Sequence, residues 1–142
     1  MIILDTNVIS ETQRPNPDPK VLAWLDAQAP TSLYLTAITV GELMFGVHCL
    51  DPGARFKRLL DTLTTIIETD FRGRILPYDE AAACIYGKQI GAARRGGATI
   101  GQADGQIAAI AFAHNAAPIA TRDRKPFDAL HLNVINPWNY EE

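Results

Sequence analysis

Cysteine is scarce in this chain of 142 residues, with only Cys49 and Cys84 present. No CxxC or HExxH spacing occurs, so nothing supports a structural or catalytic zinc site. Both cysteines fall inside apolar helical patterns and are expected to be packing thiols of a reducing compartment, not a disulfide. No apolar run approaches the ~20 residues that span a bilayer, so no membrane segment is expected. The stretch Met1-Ile2-Ile3-Leu4-Asp5 lacks a basic n-region and a small-residue cleavage site, which points to the cytoplasm. A basic excess is missing too: 13 Lys and Arg face 16 Asp and Glu, for a net charge of −3. That balance argues against extended nonspecific binding to nucleic acid. Internal repeats, low-complexity tracts and interdomain linkers are absent as well.

What is present is a folded domain. A hydrophobic content of 47% with 20% charged residues excludes disorder, and the length suits one domain over residues 1–142 with a real core. The acids are placed unevenly. Asp5 closes the apolar run Ile2-Ile3-Leu4. Glu42 lies in Thr36-Ala37-Ile38-Thr39-Val40-Gly41-Glu42-Leu43, Asp104 in Gly101-Gln102-Ala103-Asp104-Gly105-Gln106-Ile107, and Asp123 ends Ile119-Ala120-Thr121-Arg122-Asp123. Setting these four aside leaves 12 acidic side chains against 13 basic ones. The negative sign of the whole chain therefore resides in these four positions and does not exclude a polyanionic substrate once a cation is bound.

Short apolar strands alternate with helical patterns. Met1 to Leu4 reads as a strand covered on both faces, followed by a short helix ending near Arg14. Prolines at 15, 17 and 19 extend the next segment until Asp18 caps a helix with Pro19 at its first position. Val21, Leu22, Trp24 and Leu25 form the predicted stripe of that helix. Leu33 to Leu35 is a second strand, with a helix from about Ala37 to Leu50. Beyond the breaker Asp51-Pro52-Gly53, the apolar residues Phe56, Leu59, Leu60, Leu63, Ile66 and Ile67 mark one buried face of a long helix. Arg74 to Tyr78 reads as a third strand, and Asp79 as the cap of a helix reaching Arg95. A basic, flexible loop follows at Arg94-Arg95-Gly96-Gly97-Ala98. An alanine-rich central helix spans about Gln102 to His114. Pro118 to Thr121 and Leu132 to Ile135 complete the strands.

Such alternation implies a parallel sheet with helices on both faces, and ligands bind beyond the carboxyl ends of its strands. Asp5 and Asp123 are expected at those ends. Glu42 and Asp104 fall in the first turn or two of helices, where the dipole favours negative charge. Carboxylates crowded together cannot all ionise without a cation. An all-oxygen set with no His or Cys neighbour selects Mg²⁺, or Mn²⁺, over zinc and copper. The usual chemistry of such a site is phosphodiester hydrolysis by metal-activated water.

Together, Asp5-Thr6-Asn7-Val8, the segment around Glu42, Ala103-Asp104-Gly105-Gln106-Ile107-Ala108-Ala109 and Ala120-Thr121-Arg122-Asp123 resemble a PIN-domain ribonuclease of the VapC toxin type. The stretch Gly73-Arg74-Ile75-Leu76-Pro77-Tyr78-Asp79-Glu80 and the closing Asn136-Pro137-Trp138 are similar to the FitB-like branch of that family. The resemblance implies a three-layer α/β/α PIN domain with a central, mainly parallel sheet. It implies a Mg²⁺-dependent endoribonuclease, the toxin of a type II toxin–antitoxin pair, with Asp5, Glu42, Asp104 and Asp123 as catalytic and metal-site acids. Thr6 and Thr121 are then the hydroxyls that orient carboxylates or water, and Asn7 fixes the turn after the first strand. A VapB-like antitoxin and a homodimer are the implied partners.

Each feature also has an ordinary reading. A strand-end or first-turn acid is commonly a helix cap or a dipole partner, and Asp79 is read that way. Asp128 is expected in a surface turn. Arg122, Arg124 and Lys125 flank Asp123 and are candidates to hold RNA phosphates, as are Arg94 and Arg95. His48, His114 and His131 read as packing or helix-end residues, and Trp24 and Trp138 as core or interface anchors. The competing functions are a catalytically inactive PIN-like binding module and a phosphatase-type hydrolase. The phosphatase chemistry needs a second acid two positions after the first, where this chain has Asn7.

Overall fold

The computed structural model describes residues 1–142. Five short strands, β1 (Ile2–Leu4), β2 (Leu33–Thr36), β3 (Ile75–Leu76), β4 (Ile119–Ala120) and β5 (Val134–Ile135), form one sheet in the order β3-β2-β1-β4-β5. Every pairing is parallel. Seven α-helices join them: α1 (Thr6–Thr12), α2 (Pro19–Asp26), α3 (Ala37–His48), α4 (Ala54–Thr65), α5 (Glu80–Arg95), α6 (Gln102–Ala113) and α7 (Lys125–Ala129). No helix is long and apolar enough to cross a membrane.

Strand alternation divides the core into two clusters. Ile3 and Ile119 turn to one face, where they meet Ile107, Ile110 and Ala111 of α6, Ile90 of α5 and Phe127 of α7. Their chain neighbours Leu4 and Ala120 turn to the other, against Val8, Val21, Trp24, Leu43, Val47 and Leu63 of α1 to α4. The result is the expected α/β/α sandwich. Each fully buried Leu, Ile or Phe contributes about 1.5–3 kcal/mol. α6 is the most deeply set helix, buried continuously from Ile107 to Ala111.

Three details depart from the sequence reading. Cys49 and Cys84 are exposed, not packed. Cys84 sits two positions past buried Ala82, and Cys49 two past buried Val47, a step that carries a helical residue to the far side. The same geometry leaves Leu22 on the outside of α2. Asp128 lies inside α7, not in a turn, and pairs with Arg124 at 3.3 Å. The helix through Phe56 and Leu63 ends in a π-helical turn, Ile66–Asp70, closed by the Phe71 N–H donating to the Ile66 carbonyl at 2.9 Å. That wider turn keeps both Ile66 and Phe71 against the core.

Candidate functional site at the carboxyl edge of the sheet

β1 lies at the centre of the sheet, with β2 on one side and β4 on the other, so the chain leaves it in opposite directions and a crevice opens at its carboxyl end. Asp5 is the first residue past β1 and the N-cap of α1. It is buried, yet its oxygens are well partnered. Oδ1 accepts the Thr6 N–H at 2.8 Å. Oδ2 accepts the Thr121 hydroxyl at 2.8 Å and the Asn7 amide at 3.4 Å. Burial raises its pKa; the bonds from Thr121 and Thr6 oppose that, and Glu42 and Asp123 add to it by repulsion.

Thr121, one residue past β4, is fully buried. Its oxygen also accepts the Asn7 amide at 3.0 Å and the Asp123 N–H at 3.0 Å. Asn7 in turn receives the Arg122 N–H at 3.5 Å. Asn7 therefore ties the β1 and β4 loops together, a wider role than shaping its own turn. On the β2 side, Thr36 caps α3 by accepting the Thr39 N–H. The Thr6 hydroxyl donates to Glu42 Oε1 at 2.6 Å and stands 3.2 Å from the Thr39 hydroxyl. A three-threonine relay thus fixes the exposed Glu42 relative to Asp5.

Asp104 lies in the first turn of α6. Burial pushes its pKa up to about 6, with further repulsion from Asp5, Asp123 and Glu42. Asp5, Glu42, Asp104 and Asp123 thus lie within reach of one another's charge. Gly105, the next residue, is where α6 presses on α5: a Cβ there would lie 2.9 Å from the Tyr86 ring and 3.1 Å from Ile90 Cγ1. Only glycine allows that approach, and it sets the seat of Asp104.

No three of the carboxylates are gathered tightly enough to chelate one ion as they stand. Carboxylate oxygens of this kind are ligands for hard divalent ions. The donor set is all oxygen, and a cation would relieve the repulsion that lifts Asp5 and Asp104.

The cations that flank Asp123 have partners of their own. Arg122 stacks over the Trp138 ring at 4.6 Å, and Arg124 pairs with Asp128. Lys125 opens α7, while Arg94 and Arg95 end α5, joined by residues 96–101 to the helix that carries Asp104. The histidines sit at element ends: His48 ends α3 with its ring edge-on to Phe56, His114 follows α6, and His131 follows α7. Asp79 caps α5, accepting the Ala82 N–H at 3.0 Å.

One buried charge escaped the sequence reading. Glu11 of α1 is only 3% exposed. Burial opposes its ionisation, but the Asp18 N–H and the guanidinium of Arg14 hold its pKa below the usual range, helped by the Trp138 side chain. These partners lie in loops that sequence periodicity does not position, so no local signal marked it.

A family model described as PIN domain matches residues 2–132. The chain belongs to the PIN domain family. This PIN domain is 47% identical over 138 residues to VapC ribonuclease Y4jK of Sinorhizobium fredii (strain NBRC 101917 / NGR234), covering 97% of this chain and 98% of that one. Toxin FitB of Neisseria gonorrhoeae (strain ATCC 700825 / FA 1090) is 47% identical over 139 residues, covering 98% and 99%. The solved structure of FitAB bound to a DNA fragment superimposes with a TM-score of 0.93 at 45% identity, covering 100% of this chain and 99% of that one.

Proposed function

We propose that this PIN domain is a Mg²⁺-dependent endoribonuclease that cuts RNA phosphodiesters and serves as the toxin of a type II toxin–antitoxin pair. The reading rests on the placement of Asp5 and Asp123 past β1 and β4 and of Glu42 and Asp104 in the opening turns of α3 and α6, near enough for mutual repulsion to add to burial in raising the pKa of Asp5 and Asp104. Mn²⁺ is the alternative ion. When bound, the ion supplies Lewis acidity toward water and the phosphodiester.

The chain's own residues prepare that site. Thr121 and the Thr6 N–H hold the Asp5 carboxylate in one orientation, and the Thr6 hydroxyl does the same for Glu42. Burial and the neighbouring carboxylates push the Asp104 pKa up to about 6, and a bound cation would favour its ionised form. Asp123 is fixed through its backbone N–H on Thr121 and is exposed, suited to reach an ion directly or through water. Lys125, Arg94 and Arg95 are the candidates for phosphate at the periphery, and Arg122 and Arg124 would take it by exchanging or sharing their contacts with Trp138 and Asp128.

The names of the relatives support the toxin role: one is called a ribonuclease and another a toxin. A VapB-like antitoxin that restrains the nuclease, a homodimer and a cytoplasmic location complete the proposal. The test is to sequence RNA ends after brief expression of wild type and of Asp104→Asn. New 5′ ends at defined sites in wild type only are expected. Equal RNA profiles, or purified Asp5→Asn cutting RNA in Mg²⁺ as fast as wild type, would refute the assignment and favour an inactive binding module.

A further inference from the structure

Of two cavities that reach Glu42, one has cations in its walls, and they are not those beside Asp123. A groove of about 430 Å³ runs between α1, α3 and α4. Thr6 and Glu42, joined by their hydrogen bond, form the end nearest the acids, and Leu43, Leu59 and Leu63 line it farther along. Arg14 and Arg55 stand in its walls.

We propose that this groove carries the RNA strand on one side of the cleaved bond, with Arg14 and Arg55 gripping its phosphates; this rests on the ribonuclease reading above. Continuity is the first support. Glu42 belongs to both the mouth and the groove, so a strand whose phosphate lies at the acids is led directly into it.

The second support is how each cation is held. Arg14 donates to Glu11 Oε1 at 3.3 Å, and the pair is one-sided, with the Glu11 side chain 2% exposed and Arg14 62%. Glu11 is fixed further by the Asp18 N–H at 3.1 Å. The guanidinium is thus anchored at one N–H and presents its other donors to the groove, a fork suited to phosphate. Arg55 forms no ion pair and lies in the first turn of α4, where no acid is present. A cation there opposes the helix dipole and works against stability. What it adds is positive field beside the groove, where Arg14 alone is largely neutralised by Glu11.

Third, the half-buried Leu50 and Leu59 leave apolar surface in the groove that suits the flat faces of unpaired bases, which single-strand sites accept without reading sequence. A protein segment could use the same lining, but the arginine pair beside an acidic cleavage mouth matches a phosphate strand.

The test uses full-length Asp104→Asn protein, which holds RNA uncut, and a short fluorescein-labelled single-stranded oligoribonucleotide in Mg²⁺. Anisotropy titrations across salt concentrations compare it with the same protein carrying Arg55→Gln, Arg14→Gln or Arg14→Lys. Arg55→Gln is expected to weaken binding about fivefold or more and to reduce the salt slope by about 0.7. Arg14→Lys should bind better than Arg14→Gln. In an otherwise wild-type background, KM should rise while kcat holds. Unchanged affinity and salt slope in the variants, with wild type still cutting RNA, overturns the groove alone. Variants that keep RNA affinity but lose a co-expressed antitoxin assign the groove to protein and overturn it as well. If wild type cuts no RNA and Asp104→Asn binds none, the ribonuclease reading itself has failed. Both arginines are exposed, and a matching thermal melt for Arg55→Gln establishes that lost binding is not lost folding.

Discussion

Thr121 and Asp5, 116 positions apart, are joined by a hydroxyl-to-carboxylate hydrogen bond of 2.8 Å. The bond crosses the seam between β4 and β1, and the same oxygen accepts from Asn7 and Asp123. Thr121→Val keeps the volume but strips all three contacts. It is expected to cost about 1–3 kcal/mol, read as a lower urea midpoint, and to reduce RNA cleavage at least tenfold. An unchanged midpoint would mean that the seam is held by backbone pairing alone.

The pH dependence of stability follows from Asp104. Its pKa in the fold is about 6, against roughly 3.9 in an unfolded chain. Between those values the folded state binds the proton more tightly, so wild type loses stability as pH rises through this window. Asp5 shifts in the same direction. Asp104→Asn removes its share, and because the group is only half buried the gain is held to about 1 kcal/mol by solvent screening. Urea melts without divalent ions should find the variant more stable at pH 8 and nearly equal to wild type at pH 4. A less stable variant at pH 8 would contradict the repulsion among the acids.

Divalent ion should reverse that penalty. At ten times its Kd, Mg²⁺ is expected to stabilise wild type by about 1.4 kcal/mol, raising Tm by a few degrees, and Asp5→Asn should respond much less. EDTA should abolish RNA cleavage. Equal Tm shifts in wild type and Asp5→Asn would place the ion elsewhere.

Gly105→Ala tests the seat of Asp104. The added methyl meets the Tyr86 ring at 2.9 Å and Ile90 at 3.1 Å, so those side chains, or α6 itself, must shift. Overpacking of this kind costs about 1–3 kcal/mol. Cleavage should fall further than global stability explains, because Asp104 moves with the helix. Thermal melts and cleavage rates measured on the same samples separate the two effects.

The sheet and six of the seven helices were legible because their apolar periods are long or their caps explicit, as at Asp18 and Asp79. α7 was not, since its five residues carry no full period and Pro126 reads as a breaker. The four acids could be singled out because each stands where an apolar element ends. The network around them could not. Thr39 and Asn7 acquire their contacts only when distant loops meet, and Glu11 is buried by partners up to seven positions away or at the far end of the chain. The exposure of Cys49 and Cys84 depends on helix phase, which composition does not report.

Because β4 is inserted between β1 and β5, the first strand to be synthesised waits for nearly the last before its carboxylate acquires the Thr121 bond. Until β4 has been made and docked beside β1, the Asp5 carboxylate lacks its hydroxyl partner, and the acidic edge of the sheet is incomplete.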